Sequence, residues 1–341
     1  MRRAVLDLNS ERRVWRITDD VIRRVRTAFG DDWEVRPVSA KVSSDGDGSG
    51  ASAEALELVA AAEVYAGWGI SAPVLDAARE LQWVHTASAG VRGSITPALS
   101  KSGVVFTNSR GIHAEPMADW VLAAIGYCTR GFHLMVAAQR TGRWAKSDFT
   151  DGGFRPRELA GLRVGLVGLG GIGNAVARRC LAHDMSVAAV RRRVDAAPVP
   201  GVDWVGSGAD VASLACQSDV LVICAAHTGE TDRLVGREVL AAMPDGGYVI
   251  NVARGEILDQ MALIRELDSG RLGGAVLDVF EGEPIPPGDP LWAHPRVLVS
   301  PHVSAVTDRF WDREGDLLCE NVRRYLAGDA LLNVVDLDLG Y

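Results

Sequence analysis

Apolar and polar positions along the chain fall into two successive series of strand-like and helix-like runs. In the first, Ala4–Leu8 is an apolar run of strand length, Asp19–Phe29 has the spacing of an amphipathic helix, and Trp33–Val38 returns to a strand pattern. Glu54–Ala62 is predicted helical, Glu63–Gly67 a strand, and Ala72–Glu80 a helix with a proline near its start. Trp83–Thr86 and Val104–Phe106 complete a parallel sheet, while Ser39–Ser52, rich in Gly, Ser and Asp, reads as a surface loop. A long helix is predicted over Glu115–Gln139, followed by a polar, aromatic loop over Arg140–Glu158.

The second series begins at Arg163. Its strands are predicted at Arg163–Gly168, Ser186–Val190, Asp219–Ala225, Tyr248–Asn251, Gly274–Asp278 and Val297–Ser300. Helices fall at Gly171–His183, Arg237–Met243 and Asp259–Ser269, and a last one at Asp308–Ala327. Strands alternating with helices indicate α/β layers built on parallel sheets.

Composition bounds this picture without changing it. The 341 residues have room for about two domains, and 48% apolar with 23% charged residues is globular usage. A net charge of −8 argues against a general nucleic-acid or membrane-surface binder. The five cysteines form no CxxC pair or zinc spacing, so the expected setting is a reducing cytoplasm and no metal is implied. Asp7, Asn9 and Glu11 interrupt any signal-peptide core, and no apolar run approaches the 18 or so residues of a membrane helix.

The chemistry starts at Gly168-Leu169-Gly170-Gly171-Ile172-Gly173, a GxGxxG between an apolar strand and a helix. Glycines there give a tight turn, close approach of backbone to pyrophosphate and tight helix–strand packing. The helix N-terminus adds free N–H groups for the phosphates. At the end of the next strand an NAD-binding fold usually has an acidic residue for the ribose 2′-hydroxyl; here stand Arg191, Arg192 and Arg193. Guanidiniums cannot accept from a hydroxyl but suit a 2′-phosphate, so NADP(H) is the preferred cofactor, with NAD(H) possible. The plainer alternative is a solvated basic loop.

Three polar residues lie just beyond later strand ends, where open α/β sheets bind ligands: Arg254, Glu283 and His302. An arginine can clamp a carboxylate through two parallel hydrogen bonds, and a histidine backed by a carboxylate can cycle a proton near neutral pH.

The ordered set GLGGIG, NVARGEILD, DVFEGEP and SPHVS resembles that of D-isomer-specific 2-hydroxyacid dehydrogenases, over nearly the whole chain. The resemblance implies a Rossmann domain of about 113–303 inserted into a flavodoxin-like substrate domain of 1–112 plus 304–341. It implies that Arg254 binds the carboxylate of a 2-oxo acid and polarises its carbonyl. His302 would pass a proton to the carbonyl oxygen, and Glu283, rather than the nearby Glu281, would hold the imidazole and support its charge. Cofactor contacts would come from Gly168, Gly170, Gly171, Ile172, Gly173, Arg191, Arg192, Ala226, Ala253, Asp278 (on the nicotinamide carboxamide) and Ser304. The turn Ser88-Ala89-Gly90-Val91 would grip the substrate carboxylate through its N–H groups, and Trp292 would line the substrate pocket. Gly131–Arg157 resembles the family's dimer-forming region, so a homodimer is expected.

The sequence departs from the family pattern in places. Arg92 follows Val91 where the family often has Asp, and His113 stands near where it commonly has Asn. Trp68 occupies a strand end where phosphoglycerate-specific members tend to carry a basic residue, which speaks against a phosphorylated substrate. The other histidines (His85, His133, His183, His227, His294) default to structural roles, and no regulatory domain is expected after the last helix. The expected activity is NADPH-dependent reduction of a small 2-oxo acid, of the glyoxylate/hydroxypyruvate reductase type, to the D-2-hydroxy acid. Two alternatives stay open. One is a dehydrogenase for a larger or aromatic 2-oxo acid, with Trp68 and Trp292 walling an apolar pocket. The other is a dinucleotide-sensing, corepressor-like regulator, since C-terminal-binding-protein corepressors resemble the same family.

Overall fold

A computed structural model describes residues 1–43, 51–197 and 199–337; of the loop expected over Ser39–Ser52, residues 44–50 lie outside the described residues. The chain divides into two compact units, Met1–His113 with Val306–Tyr341, and Ala114–Ala305.

The first unit is a parallel sheet of β1 (Arg2–Asp7), β2 (Trp33–Pro37), β3 (Val64–Gly67), β4 (Trp83–Thr86) and β5 (Val105–Asn108), in the order β2-β1-β3-β4-β5. This is the flavodoxin-like order, in which strand succession reverses beside β1 and loops at the carboxyl ends receive ligands. On one face, Leu6, Val25, Phe29 and Trp83 pack with Leu318 and Val322 of the returning helix Phe310–Ala327. On the other, Val5, Leu58, Val74, Val84 and Leu99 form a second core. The helix Asp19–Phe29 starts where Thr18 Oγ1 accepts the Val21 N–H, and ends at Gly30 with φ +78°. A further short helix, Pro97–Ser102, is opened by Thr96 and a proline.

The second unit holds seven parallel strands: β6 (Arg163–Val167), β7 (Ser186–Val190), β8 (Val202–Gly206), β9 (Val220–Ile223), β10 (Tyr248–Asn251), β11 (Gly274–Leu277) and β12 (Val297–Val299). Their order, β12-β11-β10-β9-β6-β7-β8, is the Rossmann order with one more strand, and the switch point lies between β6 and β9. Strands β9, β10 and β11 are buried along their whole length, as expected for a parallel sheet covered on both faces.

The helix predicted over Glu115–Gln139 is two helices, Ala114–Thr129 and Phe132–Arg140, bent by 68°. Gly131 makes the bend with φ +72°, and a Cβ there would lie 2.5 Å from the Phe154 ring, so only glycine fits. The loop after it contains a short helix, Lys146–Thr150. Edge strand β8 and helix Val211–Cys216 were not predicted. Among the described residues no single helix is long and apolar enough to cross a membrane.

One ion-pair cluster closes the lower end of this sheet. Asp219, at the start of β9, accepts the backbone N–H, Nε and Nη2 of Arg163 and pairs with Arg157 at 3.1 Å. Burial raises its pKa, but the Arg163 and Arg157 contacts outweigh this and bring it down to about 2. Because the folded value lies below the unfolded one, the stabilisation is complete above about pH 4 and is lost as pH falls toward 2. Asp219→Asn is therefore expected to cost about 2–3 kcal/mol at pH 7, with the difference from wild type shrinking as pH falls through about 2 in urea melts. A pH-independent difference would refute the linkage.

Candidate active site

At the end of β6, Gly168 takes φ +107° and donates its N–H to Val190 O at 2.9 Å. A Cβ on Gly168 would lie 2.7 Å from the Ala225 backbone, and one on Gly173 would lie 2.2 Å from Gly168 O. Both glycines are required by the chain's own packing. Gly170 is different: nothing lies within 4 Å of where its Cβ would be. It caps the helix Gly171–Leu181 without a side chain, so no side-chain cap occupies the first N–H groups of that helix. This cradle fits a dinucleotide pyrophosphate. Ala226 and Ala253 follow β9 and β10 at the same sheet edge, and Ala253 N–H donates to Asn251 Oδ1 at 3.0 Å.

The arginine triplet divides unexpectedly. Arg191 turns its guanidinium into its own loop, where Nη2 donates to the carbonyls of Ala196 and, at 3.1 Å, Ala197. It builds the loop. Arg192 and Arg193 are the exposed members.

Arg254 follows β10 in a turn moulded by the buried Asn251, whose Nδ2 donates to Arg254 O at 3.0 Å. The guanidinium Nη1 donates to Ala253 O at 2.6 Å. Gly255 packs so tightly that a Cβ there would sit 1.8 Å from the Phe280 carbonyl carbon. The loop bearing Arg254 thus rests directly on the loop bearing Glu283, with no room for a side chain between them.

Glu283 Oε1 accepts the Phe280 N–H at 2.9 Å, and Oε2 lies 2.7 Å from His302 Nδ1. Burial pushes the Glu283 carboxyl up, yet the hydrogen bonds from His302 and Phe280, aided by the charges of His302 and Arg254, bring it below the usual range. An ionised carboxylate only accepts, so Nδ1 carries a proton and Nε2 is the nitrogen left for proton exchange. Glu281, the competitor by sequence, points elsewhere and pairs with Arg233 at 3.0 Å.

His302 has φ +56°, rare for a residue with a side chain, and its loop is braced from below. Asp278 is buried; Oδ1 accepts the Ser300 hydroxyl at 2.5 Å and Val303 N–H at 2.8 Å, and Oδ2 accepts Ser304 N–H at 2.9 Å. Expected as a nicotinamide contact, Asp278 is found shaping the loop that presents His302, and Ser304 is part of that brace.

Trp292 is not brought to this group. It lies in the short helix Pro290–Ala293 and walls a groove of about 490 Å³ with Tyr127, His133, Arg140 and Arg296. The groove opens at the amino ends of β10–β12, whereas Arg254, Glu283 and His302 follow carboxyl ends.

In the first unit, the Ser88–Val91 turn follows β4. The N–H groups of Ala89, Gly90 and Val91 meet no acceptor among the described residues, an arrangement suited to a carboxylate. Trp68 is only 7% exposed and stacks on Phe310 at 5.8 Å, so its indole belongs to the core. His113 stacks on Phe310 at 5.7 Å, and burial lowers its pKa to about 4.

Comparison with known proteins agrees with the fold. Residues 122–304 match the family model for the D-isomer specific 2-hydroxyacid dehydrogenase NAD binding domain. The chain is 34% identical over 273 residues to a glyoxylate reductase of Thermofilum pendens, covering 77% of this chain and 78% of the relative. It superposes with a TM-score of 0.78, at 30% identity and 99% coverage of both chains, on a Xanthobacter autotrophicus D-isomer specific 2-hydroxyacid dehydrogenase solved with NADPH and MES. A Sinorhizobium meliloti NADPH-dependent glyoxylate/hydroxypyruvate reductase gives 0.73 at 27% identity, covering 99% of this chain and 98% of that one. With a Rossmann cradle, an arginine and a Glu–His pair on successive strand ends, the chain belongs to the D-isomer-specific 2-hydroxyacid dehydrogenases, NAD(P)-dependent enzymes acting on a CH–OH group.

Proposed function

We propose that this dehydrogenase reduces a small 2-oxo acid of the glyoxylate/hydroxypyruvate type to the D-2-hydroxy acid, using NADPH. The observation that carries the chemistry is the 2.7 Å contact between Glu283 and His302 Nδ1, which leaves Nε2 as a proton donor. A bound nicotinamide supplies the hydride. Arg254 holds the substrate carboxylate and draws electron density from the adjoining carbonyl. His302 Nε2 gives its proton to the carbonyl oxygen, and Glu283 stabilises the imidazolium beforehand. In the reverse direction the same nitrogen accepts the proton.

The small substrate is supported by the likeness to the Thermofilum pendens glyoxylate reductase and the Sinorhizobium meliloti glyoxylate/hydroxypyruvate reductase, and by Trp68, whose indole is committed to the core rather than to an open aromatic pocket. A steady-state panel of glyoxylate, hydroxypyruvate and phenylpyruvate tests it. Preference for phenylpyruvate would overturn the size assignment, and no turnover with any of them would favour a sensor.

NADPH preference rests on the exposed Arg192 and Arg193, with Arg191 as the strut beneath them. Each guanidinium–phosphate contact is worth roughly 1.5–3 kcal/mol. Arg192→Ser with Arg193→Ser should therefore raise KM for NADPH by about a hundredfold or more and change KM for NADH by less than about threefold. Arg191→Ala, by loosening the loop, should weaken both cofactors together. Equal losses for both cofactors in the double variant would remove the two arginines from phosphate recognition. A homodimer is supported by the exposed apolar set Phe132, Met135, Val136 and Trp144 around Gly131–Arg157, and light scattering at twice the chain mass would bear it out.

A further inference from the structure

The unit of Met1–His113 with Val306–Tyr341 holds a polar cluster in its core that the proposed chemistry does not use. Glu314, on the C-terminal helix, and His85, on β4, are both fully buried. His85 Nε2 meets Glu314 Oε1 at 2.8 Å, and Glu314 Oε2 lies 2.6 Å from the Ser109 hydroxyl. His85 Nδ1 lies 2.9 Å from Thr107 Oγ1, which also accepts the Trp83 indole N–H at 2.8 Å. Packing does not call for a carboxylate here. The same helix buries Phe310, Leu318 and Val322 beside it, and an apolar side chain in place of a buried polar pair is often neutral or stabilising. A connected buried network is better suited to fixing positions than to adding stability.

What it fixes is the Ser88–Val91 turn. Ser109 N–H donates to Ser88 O at 3.1 Å, and Asn108 Nδ2 donates to Ala89 O at 3.0 Å. Ser109 Oγ also lies 2.9 Å from Thr86 O, and Ser88 N–H donates to Thr86 Oγ1 at 3.3 Å. The Ser88 and Ala89 carbonyls are thereby pinned to residues 109 and 108, and in planar trans peptides this directs the N–H groups of Ala89 and Gly90 away from those anchors. Ser109 belongs to both sets of contacts: it is bonded to Glu314 on one side and to the turn on the other.

We propose that Glu314, acting through Ser109, is a positioning residue for the anion-binding turn, so that the C-terminal segment sets the angle at which these amides meet a substrate carboxylate. The proposal rests on the reading of Ser88–Val91 as a receptor for that carboxylate. It makes a residue remote in sequence a determinant of KM while the proton donor is untouched.

Reduction of glyoxylate and of its methyl ester by the full chain, at saturating NADPH, tests it. In Ser109→Ala, KM for glyoxylate should rise by about tenfold, kcat fall by less than about threefold, and KM for the ester stay within about twofold. Glu314→Met should behave alike. Glu314→Gln, which keeps polar partners for both His85 and Ser109, should restore near-wild-type KM. Equal rises for acid and ester, or a lowered unfolding temperature with KM unchanged, would reduce the cluster to a structural role and overturn the proposal. A wild-type enzyme that does not distinguish acid from ester would instead remove the carboxylate reading itself.

Discussion

Replacement of His302 by alanine is expected to lower kcat for 2-oxo acid reduction by about 10²–10⁴, the usual loss of a general acid, with NADPH affinity nearly unchanged. The reason lies in the loop as much as in the ring. Glu283 fixes Nδ1 at 2.7 Å, and Asp278 ties down Ser300, Val303 and Ser304 on either side of the histidine. Alanine therefore removes the proton donor while the surrounding brace stays in place. One complication is separable. His302 sits at φ +56°, where an ordinary side chain costs about 1–2 kcal/mol, so alanine retains backbone strain without its compensation. Asparagine adopts that conformation more readily, and His302→Asn should show the same loss of kcat with less loss of thermal stability. Turnover of either variant within about threefold of wild type would remove His302 from the reaction.

How much of this was legible in the sequence follows from where the information resides. Tyr248–Asn251 was readable to the residue because strands buried on both faces are nearly continuous apolar runs between turns, and Ser186–Val190 because it is apolar after its first residue. Strand β8 was not, since Asp203 breaks its short apolar run and both it and Trp204 are exposed at the sheet edge. The predicted helix over Glu115–Gln139 failed because its apolar spacing continues through Gly131. The Phe149 and Phe154 rings packed against that glycine, well beyond the local apolar pattern, require the bend.

The site divides in the same way. Arg254, Glu283 and His302 stand out as candidates because ligand chemistry in such sheets sits just past strand ends, and the structure brings Glu283 onto His302. Spacing could not choose between Glu281 and Glu283; the choice depends on Arg233 occupying the former. Nor could it tell that Arg191 faces its own loop, or that Asp278 braces the histidine loop. Glu314 and His85 are 229 positions apart, and no local pattern announces their contact.

Loss of the Arg254 guanidinium is the second large effect. Arg254→Gln is expected to lower kcat/KM for glyoxylate by about 10³, from two charge-assisted hydrogen bonds worth roughly 1.5–3 kcal/mol each. The side chain is prepared for that task. Asn251 shapes its turn, Gly255 presses that turn onto Phe280, and the Nη1 contact with Ala253 O at 2.6 Å orients the guanidinium. Arg254 also helps keep Glu283 ionised, so its loss weakens the support of His302 as well as the hold on substrate. Lysine restores the charge but not the planar fork, and Arg254→Lys should recover only about tenfold of the loss. The split between parameters carries the meaning: a carboxylate clamp that also polarises the carbonyl should change KM and kcat together. If Arg254→Gln changes KM alone, the arginine binds substrate without activating it. If Arg254→Lys equals wild type, bidentate recognition is wrong and a point charge suffices.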